Sequence, residues 1–266
     1  MLVVLYVPAG AVFGSVLFFE DFLGTEVDSA TWEFPTGPAS NYGRTQIRPG
    51  YPPIIDGKLH LKLNTYNPTS TIPSGSFFGS DIFTRSTFLL GQGLRVELKA
   101  RLDRPIVRGL VGGLFLYQYF EQTERHSEID FELLTNFPSQ VQTNVYWNEG
   151  LGAGHSQFVI PPGLDLAKFN VYRIDWLPNS VRWYINDVLV RTELSVIPRE
   201  NLEIHLNFWG PACSGWTVAC GPDLQPAQTE AEDQEYDFLV DWVRVSRIPD
   251  CAACSPSRVG RRATTK

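Results

Sequence analysis

Residues 126–133 of the chain, HSEIDFEL, decide how the rest of the sequence is interpreted. On an extended strand, successive side chains point to opposite faces. The strict alternation therefore places Glu128, Asp130 and Glu132 on one face, with His126 at the end of the row. The opposite face carries an apolar row that suits a buried core. Because three adjacent carboxylates repel one another, the arrangement does not favour stability, and a functional site is its natural explanation.

Paired carboxylates in different environments are the groups that glycosidic bond cleavage requires. One attacks the anomeric carbon or activates water, and the other protonates the leaving oxygen. Neighbouring like charges raise the pKa of one acid, which lets a Glu act as general acid near neutral pH. Two other interpretations fit the same pattern: a solvated strand face, and a divalent-metal site built from carboxylates.

The composition narrows the class of protein. The 266 residues are 43% hydrophobic, which is ample for the core of one large all-β domain. Aromatic residues make up 13%, and they suit either a β-sandwich core or rings exposed in a carbohydrate cleft. The formal net charge of -7 argues against a nucleic-acid partner, because phosphate binding needs a basic surface.

The four cysteines fit an exported protein. Cys213 and Cys220 bracket a segment that contains Gly and Trp, and Cys251 and Cys254 lie in the tail. The even number suits two local disulfides. A four-Cys zinc site is disfavoured, because Cys213 and Cys220 are too far apart to form one of its tight pairs. We therefore expect a secreted protein.

The chain divides into one domain and two terminal segments. Residues 1–17 are apolar but lack a charged n-region, and we interpret them as a signal remnant or a disordered N-terminus. They are too short and too interrupted by Gly and Pro to span a membrane. Residues 249–266 form a small, polar, basic tail. No repeat or linker interrupts residues 18–248.

The domain is predicted to be all-β. Short alternating runs separated by Gly, Pro, Asn and Asp recur, and long helical periodicity is nearly absent. Several strands carry one apolar face and one face of acids, amides and rings, as two stacked sheets would. Residues 202–209, LEIHLNFW, place four side chains away from the core: Glu203, His205, Asn207 and Trp209. If these polar faces share a sheet, that sheet carries a sugar-binding groove.

Residues 128–132, EIDFE, resemble the signature of the family 16 glycoside hydrolases. Five more stretches resemble that family in the same order: FFEDF at 18–22, DGKL at 56–59, QTNVY at 142–146, the hairpin at 172–187 and VDWVRV at 240–245. The resemblance covers residues 18–248. It implies a β-jelly-roll sandwich, concanavalin-like, with two stacked antiparallel sheets and a concave substrate groove.

The resemblance also implies a reaction. The family's members are mostly retaining, endo-acting enzymes on β-glucans and related polysaccharides. Carried over by position, Glu128 is the nucleophile, Asp130 the assisting acid and Glu132 the acid/base. A retaining mechanism places the two carboxyl groups about 5–5.5 Å apart, whereas four residues of strand span about 13 Å. The side chains must therefore lean together.

The unbulged spacing Glu-x-Asp-x-Glu is similar to that of mixed-linkage glucanases and xyloglucan-active enzymes. It favours β-1,3-1,4-glucan or a related β-linked backbone. His126 resembles the xyloglucan-active branch, and residues 210–216, GPACSGW, differ from the glucanases. The same resemblance supplies the substrate-binding candidates: Asn144, Tyr146, Asn207 and Trp209, with Arg85 and Tyr117 as weaker ones.

Many mixed-linkage glucanases bind a structural calcium ion, and the resemblance extends to that site. Asp21 and Gly57 match positions that offer carbonyl oxygens, and Asp241 matches one that offers a carboxylate, which are ligands that suit calcium. A simple surface acid is an equal interpretation of Asp241. We expect no cofactor for catalysis, a polysaccharide substrate, no membrane partner and a monomer.

Three alternatives to a retaining hydrolase that uses only carboxyl groups stay open at this point. A transglycosylase would use the same acids with a sugar hydroxyl in place of water. A lectin-like sandwich would bind polysaccharide without cleaving it, but it has no need of both Glu128 and Glu132 at this spacing. A metal-dependent hydrolase would be inhibited by a chelator at the chemical step.

Overall fold

The computed structural model describes residues 14–37, 41–150 and 152–249. Cys251, Cys254, most of the expected N-terminal segment and nearly all of the basic tail lie outside these residues. No α-helix occurs in the described ranges, and a short 3-10 helix spans Glu230–Glu232.

The strands are β1 (Val16–Glu20), β2 (Trp32–Glu33), β3 (Asn41–Tyr42), β4 (Thr45–Ile47), β5 (Ile54–Ile55), β6 (Lys58–Asn64), β7 (Phe77–Thr84), β8 (Leu94–Leu102), β9 (Val111–Phe120), β10 (Arg125–Leu134), β11 (Val141–Glu149), β12 (Gln157–Val159), β13 (Asn170–Leu177), β14 (Ser180–Ile185), β15 (Val188–Glu193), β16 (Glu203–Trp209) and β17 (Glu235–Arg247).

The strands form two sheets that bury a common core. In the first sheet, β17 pairs with β8, and β13, β14 and β15 follow in order, while β6 and β1 lie along the other side of β17. In the second sheet, the order is β2–β7–β16–β9–β10–β11–β12. All of these pairs are antiparallel. The all-β sandwich predicted from the sequence is confirmed.

The FFEDF stretch at 18–22 is only partly strand. β1 ends at Glu20, and Phe22 adopts a left-handed conformation with φ 50°. A positive φ is incompatible with extended pairing, so the chain turns into the core, where Phe22 is buried.

The apolar side chains that alternate with the acids along β10 pack against the first sheet. Ile129 and Phe131 are 0% exposed, and the ring of Phe131 meets that of Tyr172 in the first sheet, with 5.4 Å between centroids. Burying one such side chain contributes about 1.5–3 kcal/mol. The indole N–H of Trp183 donates a 2.9 Å hydrogen bond to the backbone carbonyl of Asp130. A one-residue slip would turn the acids into the core, so burial determines the register.

Candidate active site

The three acids lie on the face of the second sheet that points away from the core, which we call the cleft face. β10 keeps an unbroken register with both neighbours from Glu128 to Glu132. Each acid lies between one residue of β9 and one of β11, in three successive rows across the sheet: Tyr117–Glu128–Tyr146, Phe115–Asp130–Asn144 and Gly113–Glu132–Gln142. β9 and β11 therefore place a defined neighbour on each side of every acid.

Asp130 and Glu132 have strongly perturbed acidities. Asp130 is 1% exposed, and its Oδ1 has no hydrogen-bond partner in the described part of the chain. Burial, followed by the charges of Glu132 and Glu128, raises the pKa of Asp130 well above its ordinary value. Burial and the charge of Glu128 likewise raise the pKa of Glu132. Asp130 and Glu132 therefore keep their protons to a higher pH than exposed carboxyl groups do.

His126 closes the row beside Glu128. Its buried ring lies 4.2 Å from the ring of Tyr146 and 5.6 Å from that of Tyr117, measured between centroids. Nε2 lies 3.4 Å from Oε2 of Glu128, without the alignment of a hydrogen bond. The imidazole therefore restrains the carboxylate of Glu128 by packing and close contact.

A cavity of about 470 Å³ opens over the acids. Three of the predicted substrate-binding residues line it: Asn144, Tyr146 and Trp209. Burial raises the pKa of Tyr146 to about 12, so its hydroxyl stays protonated and can donate. Carboxyl, amide and phenol groups can bond sugar hydroxyls, and an indole ring can pack on a pyranose face. The cavity thus combines apolar walls with a few convergent polar groups.

Asn207, also predicted to bind substrate, lies in the row of Glu132 with Gly113 between them. A Cβ atom on Gly113 would lie 2.3 Å from Oδ1 of Asn207, so the missing side chain makes room for this amide. Asn207 is buried, and its Oδ1 has no protein donor in the described ranges. The amide is therefore held near Glu132 with an acceptor available.

Of the two weaker substrate-binding candidates, Tyr117 lies near the acids and Arg85 does not. Tyr117 lies beside Glu128 and lines a second cavity of about 540 Å³ on the cleft face. Arg85 donates from Nε to the carbonyl of Ser29 at 2.8 Å and from Nη1 to Glu33 at 2.7 Å. It lines neither cavity, so its contacts brace the chain around β2 and do not reach the acids.

Trp216 is a cavity residue absent from the sequence predictions. Cys213 and Cys220 form a disulfide that closes its loop, and the ring lies 5.9 Å from that of Trp209. Asn136 braces the loop with two hydrogen bonds to its backbone carbonyls, each of 2.9 Å. The signal in the sequence was the cysteine pair around a Gly-Trp segment, in the stretch that departs from the glucanases.

His205 lies on the wall of the second cavity, where its ring stacks with two aromatic rings. Its ring lies nearly parallel to those of Phe83 and Phe115, 4.9 Å from each. Nδ1 lies 3.6 Å from Asp81, and Nε2 lies 3.6 Å from Glu203. Burial alone would lower the pKa of His205, but the two carboxylates raise it to about 9. The ring is therefore a cation at neutral pH.

Among the positions matched to a calcium site, Asp241 offers the one side-chain ligand, and that carboxylate is engaged in an ion pair. Oδ2 of Asp241 lies 2.6 Å from Nζ of Lys99, so the one carboxylate of the set already has a cation. In the described part of the chain, no group of three or more His, Cys, Asp or Glu side chains is arranged to hold a metal. Calcium takes about six to eight oxygen ligands.

The arrangement defines a carboxylate-based site for sugar chemistry on a β-sandwich. The chain matches the family described as glycosyl hydrolases family 16 over residues 52–244. That match spans more than half of the sequence, and the chain belongs to this family.

Two relatives are beta-glucanases. The protein from Paenibacillus polymyxa is 32% identical over 164 residues, which are 60% of this chain and 63% of that protein. The protein from Bacillus subtilis is 32% identical over 134 residues, 50% of this chain and 54% of that protein. The chain therefore spans between about half and two-thirds of the length of these relatives.

Solved structures share the fold. A beta-1,3-1,4-glucanase (lichenase) from a mouse hindgut metagenome has a TM-score of 0.70 at 26% identity, covering 87% of this chain and 99% of that one. The laminarinase catalytic domain from Thermotoga maritima has a TM-score of 0.69 at 16% identity, covering 90% and 100%. The second likeness concerns the fold alone.

Proposed function

We propose that the chain is a retaining, endo-acting glycoside hydrolase that cleaves β-glucan, with mixed-linkage β-1,3-1,4-glucan as the first candidate. The row of Glu128, Asp130 and Glu132 beneath the open cavity carries this proposal. The relatives named beta-glucanase and lichenase support a β-glucan substrate. Two cavities along one face favour binding within a polymer rather than at its end.

The proposed reaction is a double displacement. An oxygen of Glu128 attacks the anomeric carbon as the bond to the leaving sugar breaks, and Glu132 gives its proton to the leaving oxygen. Water then attacks the same carbon, Glu132 takes the water proton, and Glu128 leaves as a carboxylate. Asp130, protonated between them, adds no charge to the row and can share its proton with either neighbour. These steps use carboxyl groups and water, so they call for no cofactor.

The charge of the cleft face supports an uncharged polymer. Among the described residues, the ionisable groups that line the two cavities are carboxyl groups, tyrosines, His126 and His205, with no Lys or Arg. Sulfate or uronate groups would be repelled by this lining. A neutral glucan presents only hydroxyl groups and apolar ring faces.

Reducing-sugar release from barley mixed-linkage glucan, laminarin, xyloglucan and agarose tests the proposal, with Glu128→Gln beside the wild type. We expect release from a glucan that is lost in the variant, and a first product in which the β-anomer predominates by NMR. Products longer than the substrate, formed with an added oligosaccharide acceptor, would favour the transglycosylase. A folded wild type that is retained on polysaccharide but releases nothing would favour the lectin-like alternative.

We further propose that residues 18–248 form the catalytic domain of a secreted monomer. The family match lies within this range, and the disulfide supports secretion, because such bonds persist in oxidising compartments. No helix in the described part of the chain is long and apolar enough to cross a membrane. Structural calcium would have to displace Lys99 from Asp241. Size-exclusion chromatography tests the oligomeric state.

A further inference from the structure

Glu200 lines neither cavity, yet its carboxylate contacts both β10, which carries the catalytic row, and the neighbouring strand β11. Oε2 accepts from the hydroxyl of Ser127 at 2.9 Å, and Oε1 accepts from the indole N–H of Trp147 at 3.2 Å. Ser127 directly precedes Glu128 on β10, and Trp147 directly follows Tyr146 on β11. One carboxylate therefore joins the two strands at the end of the row that holds the nucleophile.

The joined positions coincide with a β-bulge. Between His126 and Glu128, the register shifts because β11 carries one residue more than β10. Asn148, within the bulge, has φ 50°, and its N–H donates to Oγ of Ser127 at 2.9 Å. A bulge interrupts the ladder and re-aims neighbouring side chains. The hydroxyl of Ser127 accepts the displaced N–H and donates its own proton to Glu200.

The bulge lies directly beside His126. Ser127 is fully buried on the core side, so its two neighbours point to the cleft face. There the ring of His126 reaches 4.2 Å from that of Tyr146, and its Nε2 reaches 3.4 Å from Glu128. A change in the bulge would alter both contacts, and with them the direction of the attacking oxygen.

The loop that carries Glu200 is itself fixed on both sides. The carbonyl of Pro198 accepts a 3.0 Å hydrogen bond from the indole of Trp176 in the first sheet. Leu202 exchanges two backbone hydrogen bonds with Phe88. The carboxylate is therefore presented from a rigid support, as a positioning group must be.

We propose that Glu200 is a positioning residue for the displacement reaction. Through Ser127 and the bulge of β11, it holds His126 and Glu128 in the geometry that attack on the anomeric carbon requires. The inference rests on the proposed function, because that function assigns the attack to Glu128. Glu200 acts through other residues and does not touch the substrate.

The kinetic test uses Glu200→Ala, Ser127→Ala and the double variant on a soluble glucan oligosaccharide. Each single change is expected to lower kcat about 10- to 100-fold with little change in KM, since a misplacement of about 1 Å can cost about 100-fold. The double variant should be no worse than the stronger single one, because both residues act in one network. Glu200→Gln, which keeps one acceptor, should fall between Glu200→Ala and the wild type.

Arg199→Ala is the matched control, because its exposed side chain lies on the same loop and only its backbone N–H bonds Glu200. It should leave kcat unchanged. A rise in KM at constant kcat, or losses that multiply in the double variant, would overturn the proposal.

Amide hydrogen exchange gives a readout that needs no turnover. The Asn148 amide should exchange slowly in the wild type and at least about tenfold faster in Glu200→Ala and Ser127→Ala, with the core amides of β10 unchanged. An equal exchange rate of the Asn148 amide in all three proteins would rule out the positioning role, even if the wild type cleaves glucan. A wild type that cleaves no glucan, with the exchange pattern as expected, would instead reject the proposed function.

Discussion

Nε2 of His126 lies 3.4 Å from Oε2 of Glu128, and the ring is packed between two tyrosines. We expect His126→Ala to lower kcat on β-glucan about 10- to 100-fold, because the carboxylate of Glu128 loses the contact that orients it. Steady-state kinetics on a soluble glucan measure the effect.

His60→Ala is the matched control for this prediction. Nδ1 of His60 lies 3.3 Å from Asp237, a similar contact on the first sheet. It should leave kcat unchanged. Equal losses in the two variants would show that His126 acts through general stability.

The acidities of the row predict an alkaline limit to activity. Glu132 must be protonated to donate, so kcat/KM should fall as the pH rises through the raised pKa values of Asp130 and Glu132. Asp130 keeps its proton between the two catalytic acids, so Asp130→Asn removes no charge from beside Glu132. The alkaline limb of the pH profile is therefore expected to stay in place in this variant.

Glu121→Gln, an exposed acid of the second cavity, serves as the control for the pH profile. An alkaline limb that moves to lower pH in Asp130→Asn would show that Asp130 is ionised beside Glu132 and would contradict this prediction.

The raised pKa of Glu132 also predicts how stability depends on pH. An acid whose pKa is higher in the folded state destabilises the fold as the pH rises from its unfolded pKa, about 4.3, towards the folded value. Glu132→Gln removes this loss, so its Tm should match that of the wild type near pH 4 and exceed it at pH 8. Each 1 kcal/mol is expected to appear as about 2–4 °C in a domain of this size. Calorimetry at both pH values measures it, and a gain of equal size at pH 4 would argue against ionisation as the cause.

Trp216 is expected to set the affinity for the polymer through the loop that Cys213 and Cys220 close. Trp216→Ala should raise KM for a long glucan about tenfold, which corresponds to about 1.4 kcal/mol of binding, with kcat nearly unchanged. Cys213→Ser with Cys220→Ser should move KM in the same direction, because the open loop no longer holds the ring against Trp209. Trp242→Ala, on the first sheet, is the control. A loss of kcat at constant KM in Trp216→Ala would reject a binding role.

Lys99 is expected to make the stability of the fold independent of calcium. Its ammonium is the cation at Asp241, so the wild type should show the same Tm in EDTA and in millimolar calcium chloride. Lys99→Met removes that cation and should lower the stability by about 1 kcal/mol or less, as is typical of partly exposed pairs. Calcium should then recover part of the loss. A wild type that calcium stabilises would contradict this prediction.

The part of the site that the sequence predicts lies on two stretches in which polar and apolar residues alternate. Residues 126–133 and 202–209 place their acids, amides and rings on one face by strand geometry alone, and both faces line the cavities as expected. Arg85 was carried over by resemblance alone, and its guanidinium is committed to Ser29 and Glu33. The position of a residue in a sequence motif does not predict which partner its long side chain contacts.

The sequence by itself determined which residues share a face, because a strand's period of two is a local property of the backbone. It also placed Glu128, Asp130 and Glu132 side by side and marked the Cys213–Cys220 loop as unusual. The tertiary structure alone decided which strands are neighbours, and hence that Tyr117 and Tyr146 flank Glu128 and that Glu200 reaches Ser127. These contacts join residues far apart in the chain, and burial of the whole sandwich selects them.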